Sequence, residues 1–152
     1  MSYTSEFASL IDSTFNAIGK PIAGQDYEIE DRGKPHVPPT KMPPEKMAVY
    51  TFIYNGQFLK IGKANQKSEA RFTYQHYNPN SARSTLAKSI LNDTKLTDAR
   101  LDDNNIGEWI KNNCLRVDII INERLGVFTL NLIESILHYR YEPKYEGFIS
   151  QR

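Results

Sequence analysis

Asn55-Gly56 stands between two runs rich in β-branched and aromatic residues, VYTFIY at 49–54 and QFLKIGK at 57–63. No short-range signal constrains a chain more: Asn-Gly tolerates the left-handed backbone that a tight hairpin turn needs, and the flanking runs suit pleated strands. The register decides which side chains can cooperate. A two-residue loop pairs Tyr54 with Gln57 and sends Tyr50 and Lys60 to opposite faces, because strand side chains alternate. A three-residue loop with a left-handed Gly56 bulge pairs Ile53 with Gln57 and Tyr50 with Lys60. It gathers Val49, Thr51, Ile53, Leu59 and Ile61 on one face and Tyr50, Phe52, Phe58, Lys60 and Gly62 on the other. The cleaner separation favours the bulged loop, with Tyr50 and Lys60 as cross-strand neighbours.

Around this hairpin, residues 4–18 place Phe7, Leu10, Ile11, Phe15 and Ile18 at helical spacing, with Thr4 or Ser5 as cap and Gly19 and Pro21 as stop. Residues 19–46 hold most of the chain's prolines and lack periodicity, so they read as an extended or irregular surface segment; His36 within it reads as a surface residue. Ser68 can cap a helix carrying Arg71 and Gln75, and Asn78-Pro79-Asn80 breaks it. A second helix follows at 84–91, a polar stretch at 92–107 and a short amphipathic piece at 107–113. CLRVDIII, residues 114–121, reads as a buried central strand. A last helix at 125–141 buries Leu130, Ile133, Ile136 and Leu137, and Pro143 ends it. The pattern predicts an α/β fold: a small three-stranded sheet, hairpin plus central strand, flanked by helices. The expected division is an N-terminal helical and proline-rich arm, 1–46, and a second unit, 47–152.

A chain of 152 residues with 39% apolar and 24% charged residues can bury a real core. No apolar run reaches membrane-spanning length, the N-terminus lacks a signal-peptide pattern, and Cys114 is the single cysteine, so the expected setting is the cytoplasm, away from any membrane. The net charge of +1 argues for no particular partner, but its distribution does. Residues 58–91 carry Lys60, Lys63, Lys67, Arg71, Arg83 and Lys88 against Glu69 alone. A phosphate backbone could lie there, although a solvated helical face explains such a charge run equally well.

Ala48-Val49-Tyr50, then Lys60-Ile61-Gly62, then Arg71 nine positions after that Gly, and Glu134 within NLIESILHY resemble the motifs of the GIY-YIG nuclease superfamily. The likeness spans roughly residues 47–145. Lys60 stands where the second triplet has its Tyr, as in a branch that includes a small type II restriction endonuclease. The resemblance implies the same α/β fold and a metal-dependent endonuclease acting on double-stranded DNA and leaving 5′-phosphate ends. It also implies a phosphate or water contact from a His or Tyr after the helix Arg, here His76 and Tyr74. The family's Asn after the metal-binding Glu has no counterpart in EPKYEGF.

Phosphodiester hydrolysis needs a base, positive charge at the phosphorane and neutralisation of the leaving oxygen. Tyr50 is the expected base, with Lys60 and Lys63 lowering a phenol pKa of about 10. Arg71 has the fork that grips a phosphate. Glu134 sits on the inward side of an apolar helix, where an unpaired carboxylate is costly; it would hold Mg²⁺, or Mn²⁺, or else pair with His138. Arg83 is a candidate for DNA contact. Cutting both strands from one site per chain favours a homodimer. A non-catalytic nucleic-acid-binding module is the alternative.

Overall fold

The computed structural model describes residues 2–146; residues 147–152, the end of the expected second unit, lie outside them. Helix α1 (Tyr3–Ile18) is followed by strands β1 (Tyr27–Gly33), β2 (Lys46–Tyr54) and β3 (Gln57–Ala64). Helices α2 (Glu69–Thr73), α3 (Leu86–Leu91) and α4 (Ile106–Asn113) lead to strand β4 (Leu115–Asn122) and helix α5 (Gly126–Tyr141). The strands form one antiparallel sheet in the order β1-β4-β2-β3.

The expected α/β class with a central strand from the CLRVDIII run holds; the three-stranded sheet does not. The proline-rich segment contributes the fourth strand, β1, which pairs Ile29 with Ile119 and Glu30 with Asp118. Its sequence, YEIEDRG, is an edge strand with one well-covered neighbour and acidic residues toward water. That composition blunts an edge but weakens the apolar alternation by which strands are recognised.

Helices cover both faces of the sheet. On one, Phe7, Ile11 and Phe15 of α1 and Leu130, Ile133 and Leu137 of α5 pack on Val49, Ile53, Phe58, Ile61, Val117, Ile119 and Ile121. On the other, Phe72, Leu86, Ala87, Ile90, Ile106 and Ile110 pack on Ala48, Tyr50, Phe52, Leu59 and Ile120. Side-chain alternation thus feeds two separate cores, and β4, buried on both sides, is the spine they share. Helix α1 is capped by Ser2, whose side chain accepts the Ser5 N–H, and ends at Gly19 in the left-handed region, φ 80°. Among the described residues no helix is long and apolar enough to cross a membrane.

The end of the described chain also belongs to the sheet. The Lys144 and Tyr145 N–H groups donate to the carbonyls of Phe58 (2.9 Å) and Leu59 (3.1 Å), covering the outer edge of β3 as far as Leu59. Beyond that point no strand among the described residues pairs with the outer edge of β3.

Candidate functional site

The hairpin closes with the tight turn, not the three-residue loop. Asn55 (φ 49°) and Gly56 (φ 79°) are both left-handed, and Tyr54 pairs with Gln57. This mirror-image turn matches the twist of the strands it joins. The bulge lies further along: Ile53 pairs with Phe58 and Phe52 with Lys60, so Leu59 and Lys60 together oppose Phe52. Tyr50 therefore pairs with Gly62, not Lys60. The expected faces also exchange Phe58 and Leu59. Phe58 joins the α1/α5 core, stacked on Tyr141 at 4.1 Å, and Leu59 joins the other. Ordinary alternation buries Phe58 and Leu59 on opposite faces, and the bulge then keeps Lys60 on the face of Leu59 and Tyr50.

Gly62 has a steric reason to be glycine. A Cβ there would lie 2.4 Å from the Tyr50 hydroxyl oxygen, closer than any packing allows. The Tyr50 ring lies over the space that a side chain would fill.

Helix α2 runs only from Glu69 to Thr73, and its approach is capped by Asn65 and Ser68 bonding reciprocally. At Tyr74 (φ −131°, ψ −22°) the helical path breaks before a 3₁₀ turn over Gln75–Tyr77. The break turns Tyr74 outward, 57% exposed, while His76 is buried. Of the two expected contact residues, only His76 reaches the site.

The hydrogen bonds of His76 fix its tautomer. Its Nδ1 accepts the Leu86 N–H at 3.1 Å, so the ring proton is on Nε2, which donates to the Tyr50 oxygen at 2.7 Å. Burial first, then Lys60, Arg116 and Arg71, lower the His76 pKa to about 3. His76 is thus a neutral, permanent donor to Tyr50 and cannot remove its proton. Tyr50 itself departs from expectation. Burial raises its pKa well above the usual phenol value; Arg71 is the leading opposing influence, and Glu146 adds to the rise. Lys60 is engaged elsewhere in an ion pair, its Nζ lying 2.9 Å from Glu146 Oε1.

Tyr50, Lys60, Lys63, Arg71, His76, Arg83 and Glu134 line one cleft of about 470 Å³, together with Ile61, Gly62, Gln75 and Glu146. Lys60 and Gly62 face one side of the sheet and Ile61 and Lys63 the other, so the cleft wraps the edge strand β3. Glu134 reaches it from α5 and pairs with Lys63 at 2.7 Å, whereas His138 bonds the Ile61 carbonyl at 2.9 Å. The alternative pairing of Glu134 with His138 is not formed. Arg71 and Arg83 are exposed at the rim.

Beneath the cleft lies a charged layer that sequence reading missed. Arg116 and Asp118, on consecutive same-face positions of β4, are 1% and 0% exposed. Arg116 Nε donates to Asp118 at 2.9 Å, Nη1 to the Tyr77 hydroxyl at 2.7 Å and Nη2 to the Phe72 carbonyl at 2.8 Å. Its guanidinium packs among the rings of Tyr50, Phe52, Phe72 and Tyr77, 5.1–6.0 Å from their centroids. Tyr77 passes its proton side to His36 Nε2 (2.9 Å), and His36 Nδ1 donates to the Cys114 carbonyl (2.8 Å). His36 is therefore buried, not a surface residue; its bonds to β4 and Tyr77 satisfy it where neighbouring prolines suggested a loop. Arg116 fixes the backbone of the segment that carries Arg71 and His76. Its one legible signal was an Arg-x-Asp pair inside an otherwise apolar strand.

The donor set fits a hard cation sparingly. Among the described residues no group of three or more His, Cys, Asp or Glu side chains converges. Mg²⁺, however, takes one or two carboxylates and completes its shell with water and phosphate oxygens. Glu134, partly exposed to the cleft, fits that mode; Glu146 also lines the cleft, paired with Lys60. No protein-family model, curated protein or solved structure matches this chain.

Proposed function

We propose that this protein is a metal-dependent DNA endonuclease of GIY-YIG type. It would hydrolyse phosphodiester bonds of double-stranded DNA at specific sites, as a restriction-type homodimer leaving 5′-phosphate and 3′-hydroxyl ends. The single observation that carries the reading is the gathering of Tyr50, Lys60, Lys63 and Arg71 from one hairpin-helix stretch with Glu134 from the distant α5 around one cleft at a strand edge. Four cations against two carboxylates suit a polyanion.

The geometry supports the following roles. Arg71 and Arg83, exposed at the rim, meet phosphate oxygens. Tyr50, as phenolate, takes the proton of the attacking water, while the His76 Nε2–H holds its oxygen in place and Gly62 leaves room for the ring. Lys60 and Lys63 stand where charge accumulates on the phosphorane. Glu134 would hold the cation, which when bound neutralises charge on the phosphate and leaving oxygen.

The binding-module alternative also has an observation behind it: both cleft carboxylates are paired with lysines and Tyr50 is held protonated by burial. Digestion of long, unmodified duplex DNA with Mg²⁺, beside Tyr50→Phe and Glu134→Ala, separates the readings. Discrete fragments from the parent protein alone support the restriction-type nuclease, and a smear leaves a nuclease without that specificity. No cleavage by folded protein that still binds DNA leaves the binding module.

A further inference from the structure

The two ion pairs in the cleft present a contradiction for any cation-dependent reaction there. The carboxylate best placed for a cation, Glu134, is already neutralised by Lys63 at 2.7 Å. Lys63 is the more exposed partner, 39% against 16% for Glu134. A long, exposed ammonium stem can swing toward solvent at little cost, whereas Glu134 is held on α5 between buried Ile133 and Leu137.

We propose that Lys63 is shared between two ligands. In the free protein it stands in for the cation on Glu134; when duplex DNA docks, a phosphate takes the ammonium and Glu134 is released to the divalent ion. Cation and duplex then bind with positive coupling, each raising the affinity of the other by the same factor. The exchange conserves charge: the Lys63–Glu134 pair and a cation–phosphate contact become a Lys63–phosphate pair and a cation–Glu134 contact. This inference rests on the nuclease reading of the cleft. It adds the order of assembly: the free protein binds divalent ions weakly, and the duplex completes the site.

The test is a Mn²⁺ titration followed by electron paramagnetic resonance on DNA-free protein, for the parent chain, Lys63→Met and Glu134→Gln. Alongside it, duplex affinity is measured by fluorescence anisotropy with and without Mn²⁺. The anisotropy series uses a Tyr50→Phe background so that the duplex stays intact, and circular dichroism verifies each fold. The expected result is Mn²⁺ binding about fivefold tighter in Lys63→Met than in the parent, as for loss of a competing ion pair worth about 1 kcal/mol. Binding should be lost in Glu134→Gln. Mn²⁺ should tighten duplex binding in the Tyr50→Phe protein, and that gain should shrink when Lys63→Met is added. Equal Mn²⁺ affinity of folded Lys63→Met and parent, or an undiminished gain, overturns the exchange while plasmid cleavage keeps the nuclease. Absence of any Glu134-dependent Mn²⁺ binding together with absence of cleavage overturns both.

Discussion

At the scale of single residues, the hydroxyl of Tyr50 is the point on which the chemistry turns. Burial holds it protonated, and the cation that most opposes this is Arg71, not the neighbouring lysine. Only the ionised fraction can accept a proton from water, so the rate should rise about tenfold per pH unit through the neutral and mildly alkaline range. Single-turnover cleavage at saturating Mg²⁺ from pH 6 to 9 checks this; a flat profile would remove Tyr50 from the base role. Gly62 carries the second residue-level expectation. A methyl group 2.4 Å from the Tyr50 oxygen must push the ring away. Gly62→Ala should therefore cost about 1–3 kcal/mol by overpacking. Its cleavage rate should fall by roughly 100-fold through misplacement of the reacting oxygen. Denaturant melts and rates on the folded fraction separate the two effects.

At the scale of elements, the hairpin shows how much of the site was legible. Its strands, its turn dipeptide and the shared face of Tyr50 and Lys60 follow from the order of residues 49–63. The location of the bulge does not, because a bulge at Gly56 and one at Leu59-Lys60 give nearly the same list of residues per face. Only packing decides: Phe58 finds Tyr141, and Leu59 finds the helices opposite. Helix α2 failed similarly at Tyr74, where nothing local announces the break that aims His76 inward. Glu146 was invisible because its partner, Lys60, is supplied by a distant strand. The bulge gives an expectation of its own. Removing Leu59 leaves Ile53 with Phe58 and Phe52 with Lys60, so the ladder becomes regular without moving any later pair. Deletion of Leu59 should thus cost about what Leu59→Ala costs, ~2–5 kcal/mol. Backbone amide shifts of Lys60–Lys63 should remain hairpin-like, whereas a wholesale change in them would contradict this register.

For the molecule as a whole, buried histidines tie stability to pH. His76 is held neutral, its pKa lowered to about 3 from 6.5, and burial lowers His36 as well. Between those values the unfolded chain binds protons that the folded chain refuses. Stability is therefore full above pH 6.5 and falls as the pH drops toward 3. For His76 the loss should reach roughly 3–5 kcal/mol. Urea titrations at pH 7, 5 and 4 should show the decline, and His76→Gln, which keeps a donor and an acceptor, should flatten it; a parallel decline in the variant would place the acid sensitivity elsewhere.

The strand order carries a consequence for how the chain reaches this state. β1 and β2 are successive along the chain, yet β4 lies between them. Two successive antiparallel-capable strands ordinarily zip together quickly, and that early pairing here would shut out the spine of the sheet. The connector from residue 34 to 45 contains Pro35, Pro38, Pro39, Pro43 and Pro44. Five fixed φ angles within twelve residues disfavour the tight reversal a direct hairpin requires. The prolines between β1 and β2 should thus disfavour that early pairing, leaving a slot about two strand spacings wide, ~10 Å, for a strand synthesised some sixty residues later.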